Sequence, residues 1–370
     1  MRDRFLALAF AVPLAVSALA LSCTSTGVSA PTQITDGELA RLVNQISEEP
    51  GYFWSNNYIS NETSYLHVID ELEEMGITGG AYIGVGPNQN FTYIAATKPE
   101  LAFIVDIRRQ NLVEHLIFKV LISSSETREE YLSRLLARPL STTLAADASI
   151  VDIVANVESH PAESEFYEEQ LSFIYAELAR FEDLRLSQQD LVDVRLIYRE
   201  FYRQGFDIKY DSWRSFFFPS LKEFMLETDL NGRHRNWLAS HDTFDVVRTM
   251  QRENRIIPLV GDFAGEQALR RLGRLLESRG LTVSTFYVSN VEFYLFRQRK
   301  WPEFVENVDH LPTTESSVFI RAYANLHRPH PRMVGDHITV TLVQSIHSFL
   351  RNARAERYRN LWDVVTADEL

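Results

Sequence analysis

The sequence has little cysteine and is short of positive charge. Cys23 is the single cysteine among 370 residues, so the folded chain has no intramolecular disulfide and relies on its hydrophobic core. Only 37 Lys and Arg residues stand against 50 Asp and Glu, which gives a formal net charge of -13. Nucleic-acid binding depends on clustered Lys and Arg, so the balance argues against a nucleic-acid partner and leaves a small-molecule ligand.

Several sequence motifs are also absent. No repeat of the solenoid type occurs, and no Gly-x-Ser-x-Gly is present, which argues against a hydrolase with a nucleophile elbow. No glycine-rich loop ends in Gly-Lys-Ser/Thr, so the chain lacks the phosphate-binding loop of nucleotide hydrolases.

The N-terminus has the features of a targeting segment. Arg2 and Arg4 precede an apolar run over 5–21, and Leu-Ala-Leu-Ser-Cys then ends at Cys23. This resembles the lipobox of a bacterial lipoprotein, in which the cysteine is acylated. We therefore predict a signal at 1–23, a lipid anchor at Cys23, a flexible tether at 24–35, and an exported protein attached to a membrane.

Two other interpretations of this segment stay open. Cleavage by ordinary signal peptidase after Ala30 would leave Pro31 next to the cut, which is unfavourable. A retained membrane anchor is the other, although about 17 apolar residues are few for a span.

The remaining residues, 36–370, predict an α/β domain. A buried strand at 81–85, a glycine turn, a short helix at 90–97 and a second buried strand at 101–107 follow one another. Further strands are predicted near 255–263, 281–288, 318–323 and 338–342. Strands that alternate with helices indicate a mostly parallel, Rossmann-like sheet with helices on both faces.

Helical patterns dominate outside this unit. Helices are predicted at 36–47 and 64–75, and the region 125–250 is predicted to be a long helical insertion. It carries an aromatic cluster at 210–219 that we predict to be core. The chain ends in a predicted helix over 344–364.

The glycine turn predicts a ligand site. Ligands of doubly wound sheets bind at the carboxyl ends of the strands, and a strand-end acid can accept hydrogen bonds from ribose hydroxyls. Such an acid, Asp106, stands 20 positions after Gly86. We predict that cofactor contacts come from the turn and from two strand-end acids: Gly84, Gly86, Asn88, Asp106 and Asp262.

The turn departs from the dinucleotide fingerprint at one position. Gln89 stands where the third glycine of G-x-G-x-x-G would be, so a close pyrophosphate fit is not expected. A nucleoside ligand without pyrophosphate fits better, and S-adenosylmethionine is the common one. A sheet with tight turns and no ligand stays open as the alternative.

The sequence resembles a group of bacterial proteins, some exported as lipoproteins, with a class I S-adenosylmethionine-dependent methyltransferase-like domain. The resemblance implies a Rossmann-like fold and S-adenosylmethionine as the cofactor. It spans roughly 50–300 and rests on five segments: 60–62, 80–86, 103–108, 258–263 and 287–292.

Two similar polar segments supply candidate chemistry. Ser60-Asn61-Glu62 precedes a helix, and Ser289-Asn290-Val291-Glu292 follows a strand. Both suit helix caps, which is the structural interpretation. The functional hypothesis makes Asn290 and Glu292 catalytic, with an amide that orients the acceptor and a carboxylate that takes its proton. It makes Asn61, Glu62 and Tyr65 substrate contacts.

Histidines in a proline-rich loop do not match a metal site. His327, His330 and His337 have no established ligand spacing, and we predict no metal and solvated side chains. Two functions remain: a methyltransferase, or a non-catalytic exported protein that keeps the fold as a binding or surface module. The acceptor and the oligomeric state do not follow from the sequence.

Overall fold

The computed structural model describes residues 33–212, 215–325, 328–335 and 337–367. The predicted signal segment, Cys23 and most of the predicted tether lie outside these residues, as do Trp213 and His327. Within the described residues, no helix is both long and apolar enough to cross a bilayer.

A six-stranded sheet forms the centre of the domain, with the order β3-β2-β1-β4-β5-β6. The first five strands pair in parallel, and β6 pairs antiparallel with β5. The prediction of an α/β fold with a mostly parallel sheet is confirmed. The strands are β1 (Ala81–Gly84), β2 (Leu101–Asp106), β3 (Ile256–Val260), β4 (Val283–Ser289), β5 (Thr313–Ala324) and β6 (Thr339–Ser345).

Continuous apolar runs place the first strands at the middle of the core. Every residue of β1, β2 and β3 is buried, as expected for parallel strands that are covered by helices. The helix between β1 and β2 ends at Lys98, whose φ of 44° is left-handed, and Pro99 follows. The first four helices of the chain's described residues are α1 (Asp36–Ile46), α2 (Ile69–Glu74), α3 (Gln89–Thr97) and α4 (Arg109–Ser124).

In its described residues, the stretch between α4 and β3 consists of helices joined by loops and short 3-10 turns, with an isolated bridge between Lys209 and Ser220. One of its helices, 150–159, has only a weak local signal in the sequence. Its β-branched residues have modest helix propensity, but Ile150, Ile153, Val154 and Val157 bury one helical face. The six helices are α5 (Arg128–Leu135), α6 (Ile150–Ser159), α7 (Ser164–Leu178), α8 (Gln188–Gln204), α9 (Leu221–Met225) and α10 (His241–Arg252).

The C-terminal part contradicts one prediction. The single helix predicted over 344–364 is wrong, because β6 continues to Ser345 and two separate helices follow it. Glu356 lies between them with a left-handed φ of 52°, a conformation that ends a helix. The last helices are α11 (Ala268–Ser278), α12 (Val291–Gln298), α13 (Trp301–Asp309), α14 (Ile346–Arg354) and α15 (Leu361–Val365).

Helices pack against the sheet. α4 contacts β2 and β3, α1 contacts β3, and α14 contacts β5. The sheet therefore holds the residues that follow β1, β2, β3 and β4 in fixed positions at one edge.

Candidate functional site

A cleft lies at the carboxyl ends of β1, β2, β3 and β4. The chain passes from β1 to β2 on one side and later enters β4 on the other side, so the cleft lies where the strand order reverses. Its remaining walls come from the N-terminal segment 52–61, from α12, and from Tyr210. The polar residues predicted from the sequence fall into two groups around this cleft.

Five predicted residues line the cleft and five do not. The lining residues come from strand ends and from the segment that precedes α2: Asn61, Gly86, Asp106, Asp262 and Asn290. The others lie behind the wall or in the core, so a direct ligand contact is not supported for them: Glu62, Gly84, Tyr65, Asn88 and Glu292.

Gly84 is required by packing inside the turn. A Cβ atom at Gly84 would lie 1.9 Å from Asn90 Oδ1. The Asn90 amide donates hydrogen bonds to the carbonyl oxygens of Val85, Gly86 and Pro87, at 3.0, 3.1 and 2.7 Å. The Asn90 side chain, from α3, thus fixes the turn. The missing Cβ of Gly84 leaves room for Asn90 rather than for a cofactor.

Gly86 faces open space, unlike Gly84. Its φ is +78°, and no atom lies within 4 Å of a Cβ built on it. Its carbonyl oxygen also lies 2.8 Å from His115 Nε2. Burial lowers the pKa of His115 to about 4, so the ring is neutral at pH 7 and its proton is on Nε2, which donates to the carbonyl. Asn88 is buried outside the cleft, which corrects its assignment as a cofactor contact.

Asp106 is buried at the end of β2 and is paired with Arg108. Its Oδ1 accepts hydrogen bonds from Arg108 N at 2.9 Å and Nε at 3.2 Å, whereas Oδ2 has one long contact, 3.4 Å, with Nη2. Burial opposes the charge of Arg108, but Asp106 and the buried Glu114 outweigh it and raise the pKa of the guanidinium. Both members of the pair line the cleft, and Oδ2 retains accepting capacity.

Asp262 is less buried and has a different partner. Its Oδ2 accepts from Lys300 Nζ at 2.8 Å, and its Oδ1 accepts from the backbone N–H of Ala264 at 2.9 Å. Two carboxylates thus line the cleft, and each has its own cation.

Glu62 lies directly behind the cleft wall. Its Oε1 accepts hydrogen bonds from Tyr287 Oη at 2.7 Å and Ser289 Oγ at 2.5 Å, and its Oε2 accepts from Gln89 Nε2 at 2.7 Å. Tyr287 and Ser289 line the cleft. Burial raises the pKa of Glu62, and these three donors oppose the rise. The hydroxyl groups of Tyr287 and Ser289 therefore connect the Glu62 carboxylate to the cleft.

The backbone at Ser289 is strained. Its φ of 51° is left-handed, which is rare for a residue other than glycine and costs about 1 kcal/mol or more. In this conformation Ser289 Oγ donates its hydrogen bond to Glu62. Gln89, the residue that breaks the dinucleotide fingerprint, is the third donor to the same carboxylate.

Tyr65 belongs to the core. Its ring stacks on Phe224, with ring centroids 4.2 Å apart, and its hydroxyl donates to the Phe224 carbonyl oxygen at 2.8 Å. The side chain is fully buried, which corrects its assignment as a substrate contact.

Glu292 forms a buried ion pair with Arg321. The carboxylate lies 3.1 Å from Arg321 Nε, and both side chains are almost completely buried. The Arg321 guanidinium also lies over the rings of Phe319 and Phe349, at 4.6 and 5.5 Å from their centroids. Burial raises the pKa of Glu292 and Arg321 opposes the rise. The prediction of a catalytic Glu292 is corrected, since its partner is internal.

The two predicted asparagines have free side chains. Asn61 and Asn290 line the cleft, and the described residues provide no hydrogen-bond partner for either amide. A buried or half-buried amide without a partner can both donate to and accept from a ligand. These two groups point to recognition of a polar atom.

The sequence matches the family described as Domain of unknown function (DUF7790) over residues 57–369. The chain belongs to this family. No curated protein matches the sequence. The DUF7790 region includes all six strands and every cleft residue from Asn57 onwards, whereas α1, Tyr52 and Phe53 precede it.

Three side chains that support the cleft from within helices and strands were not predicted. Asn90 and His115 hold the glycine turn from α3 and α4, and Tyr287 joins Glu62 from inside β4. The only signal for these was a polar residue inside a buried helix or strand, which sequence alone does not separate from a satisfied core residue.

The proline-rich loop is not as predicted at His330. This side chain is buried, with Nε2 3.0 Å from the Val365 carbonyl oxygen, whereas a solvated ring was expected. His337 packs edge-on against His67 at 4.6 Å. In the part of the chain that the structure describes, no three His, Cys, Asp or Glu side chains converge as a metal site would require.

Proposed function

We propose that the protein is an S-adenosylmethionine-dependent methyltransferase-like protein with a Rossmann-like domain, and that this cleft is its cofactor site. The observation that carries the proposal is the position of Gly86 and Asp106 in one cleft, where the strand order reverses between β1 and β4. The order 3-2-1-4-5-6 is that of doubly wound nucleotide-binding sheets, which bind their ligands at this point. β6 departs from that pattern because it is antiparallel.

The residues present fit a nucleoside. Asp106 Oδ2 has accepting capacity for a ribose hydroxyl, and the turn at Gly86 leaves space where a side chain would otherwise stand. Val105, Ile107 and Phe263 add apolar walls for a base.

When bound, S-adenosylmethionine supplies an electrophilic methyl group. The protein must orient an acceptor and remove its proton. Asn61 and Asn290 orient the acceptor hydroxyl or amine through their free amides. Ser289 Oγ accepts the acceptor's proton while it passes its own to Glu62 Oε1, 2.5 Å away. Because burial raises the pKa of Glu62, its carboxylate is a stronger base than an exposed glutamate.

Calorimetric titration of the purified chain with S-adenosylmethionine and S-adenosylhomocysteine tests the proposal. We expect saturable binding of both, and at least about tenfold weaker binding by Asp106→Asn, which is about 1.4 kcal/mol. No binding at millimolar ligand would contradict the proposal.

Asp190→Asn is the matched control for this titration. Asp190 is another buried aspartate paired with an arginine, since its two oxygens lie 2.9 and 3.0 Å from Arg109, but it does not line the cleft. This variant should lose stability and keep its ligand affinity. Equal loss of affinity in both variants would mean that Asp106 acts through folding rather than through ligand contact.

The alternative is a non-catalytic exported binding module. The predicted export supports it, because S-adenosylmethionine is made in the cytosol, and so does the pairing of Asp106 with Arg108. Binding of a ligand without any methyl transfer to candidate acceptors would favour this alternative. Fold alone does not choose between the two.

The lipid anchor is a separate proposal that rests on the sequence at Cys23. Cys23→Ala should release the protein from the membrane fraction, as measured by ultracentrifugation and immunoblotting. Unchanged partition would contradict acylation at this residue. Ser22→Ala is the control, since it leaves the cysteine in place.

A further inference from the structure

Exposed aromatic side chains are confined to three segments of the described chain. Among the described residues, eleven large apolar side chains are exposed, and six of these are aliphatic and scattered. The other five are aromatic: Tyr52, Trp54, Phe216, Phe217 and Phe293. Phe216 and Phe217 correct the prediction that the cluster at 210–219 is core, although Tyr210 is buried as predicted.

Each of the three segments, 52–54, 210–219 and 293–294, also contributes at least one residue to the cleft. Tyr52 lines the cleft although 87% of its surface is exposed. Trp54 packs edge-on against Tyr210 at 6.2 Å, and Phe293 packs edge-on against Tyr294 at 5.3 Å. Tyr210 and Tyr294 both line the cleft. We call the group formed by Tyr52, Phe53, Trp54, Tyr210 and Tyr294 the aromatic mouth.

The rings of the aromatic mouth contact one another. Phe53, which lines the cleft, meets Tyr294 edge-on with centroids 5.2 Å apart and planes at 80°. Edge-on pairs leave ring faces available to a further ring, and each such contact adds to the apolar area buried. Exposed apolar groups around a concave site indicate an interaction site, and a ligand-binding groove is one kind of such a site.

The two carboxylates that line the cleft are already paired, whereas Arg297 lies over the Phe293 ring, 5.3 Å from its centroid. Asp106 pairs with Arg108, and Asp262 pairs with Lys300. Asn61 and Asn290 remain free. The free polar side chains of the cleft are therefore neutral amides, which favours ring stacking and hydrogen bonding to a neutral polar atom.

We propose that the cleft takes a small, uncharged molecule with an aromatic ring and a hydroxyl group, whose ring stacks in the aromatic mouth. Its hydroxyl reaches Asn61, Asn290 and Ser289. That this molecule is the methyl acceptor rests on the proposed function, whereas its binding does not. A membrane surface is a less suitable occupant, because the rings surround a concave cleft and the chain carries a net charge of -13.

Two probes of matched shape test the proposal: 2-naphthol and its saturated counterpart decahydro-2-naphthol. By calorimetry on the purified chain, we expect 2-naphthol to bind at least tenfold more tightly. Tyr52→Leu and Tyr294→Leu should each weaken 2-naphthol binding at least fivefold. Equal affinity for the two probes, or unchanged affinity in both variants, would overturn the proposal.

Phe216→Leu is the control. It removes another exposed ring, which packs at a tilt against Phe217 with ring centroids 4.0 Å apart and does not line the cleft. We expect unchanged 2-naphthol binding. A loss equal to that of Tyr52→Leu would show general surface adsorption and overturn the proposal. So would a Tyr52→Leu defect in binding to phosphatidylcholine vesicles without a defect in 2-naphthol binding.

A second titration separates this inference from the proposed function. With saturating S-adenosylhomocysteine present, 2-naphthol should bind as tightly as before or more tightly, which supports an acceptor seat beside the cofactor. Competition between 2-naphthol and S-adenosylhomocysteine would show that the aromatic mouth binds the nucleoside. It would overturn the proposal of a separate acceptor site. Binding of 2-naphthol without any binding of S-adenosylhomocysteine would uphold the aromatic site and defeat the proposed function.

Discussion

The two segments Ser60-Asn61-Glu62 and Ser289-Asn290-Val291-Glu292 have almost the same composition and different surroundings. Each places an asparagine in the cleft and a glutamate in the interior. Glu62 accepts hydrogen bonds from neutral groups, two of which line the cleft, whereas Glu292 pairs with Arg321. The groups that contact a buried carboxylate therefore decide its role. A cation, as at Glu292, makes the carboxylate part of the scaffold, whereas hydroxyl groups, as at Glu62, connect the carboxylate to the cleft.

The largest expected effect is on stability. Glu292→Ala leaves Arg321 charged and buried, so the free energy of unfolding should fall by about 3–5 kcal/mol. Urea denaturation at pH 7 measures it. The double variant Glu292→Leu/Arg321→Met removes both charges and should recover most of the loss. A fall below about 1 kcal/mol in Glu292→Ala would contradict the scaffold role.

The second effect is on chemistry. Glu62→Gln keeps the size of the side chain but cannot accept a proton, so methyl transfer should slow about 100-fold or more. The measurement is S-adenosylhomocysteine formation with 2-naphthol as the acceptor. Asp190→Asn, which changes a buried acid away from the cleft, provides the comparison and should retain its rate. Glu62→Gln with an unchanged rate would show that Glu62 is not the base.

The third effect is on the pH dependence of stability. The pKa of Glu62 is raised above its ordinary value of 4.5 in the folded protein. Between about pH 4.5 and the higher pKa of the folded protein, the unfolded chain has released a proton that the folded protein keeps, so this group lowers stability as pH rises through that interval. Relative to wild type, Glu62→Gln should therefore gain up to about 1.4 kcal/mol per pH unit within that interval, and the gain should level off above it.

Urea denaturation from pH 4 to pH 8 checks this sign. A difference between wild type and Glu62→Gln that stays constant with pH would show that the Glu62 pKa is not raised. A difference of opposite slope would show a lowered pKa, as for a carboxylate paired with a cation.

The smallest effect concerns the two asparagines. Asn61→Ala and Asn290→Ala should each weaken 2-naphthol binding about fivefold, near 1 kcal/mol, because each removes one hydrogen bond to the ligand. Neither amide has an internal partner among the described residues, so thermal unfolding should not change. Asn90→Ala, which breaks three hydrogen bonds to the glycine turn, should lower the melting temperature instead.

Local pattern predicted most of the fold. The strand at 81–84 and the strand at 101–106 are short apolar runs bounded by glycine and proline, so their burial follows from the sequence. The break after α14 did not follow, because the left-handed turn at Glu356 has no glycine or proline to signal it. The β-branched residues of α6 give only a weak helix signal, and burial of one face stabilises this helix.

Prediction of the site was limited by long-range partners. Gly86, Asp106 and Asp262 follow strand ends, so the sheet itself brings them together. Which of the two glutamates is connected to the cleft depends on Arg321, a residue of β5, and on Tyr287, a residue of β4. No spacing along the chain records these contacts.

The most direct test of the account follows the two glutamates at once. In protein labelled with 13C at the glutamate carboxyl carbons, Glu62→Gln and Glu292→Gln assign the two signals. S-adenosylhomocysteine is then added to the wild type to saturation. The account predicts that the Glu62 signal shifts, because two of its donors line the cleft, and that the Glu292 signal stays in place. A shift of Glu292 alone, or no shift of either signal at millimolar ligand, would contradict it.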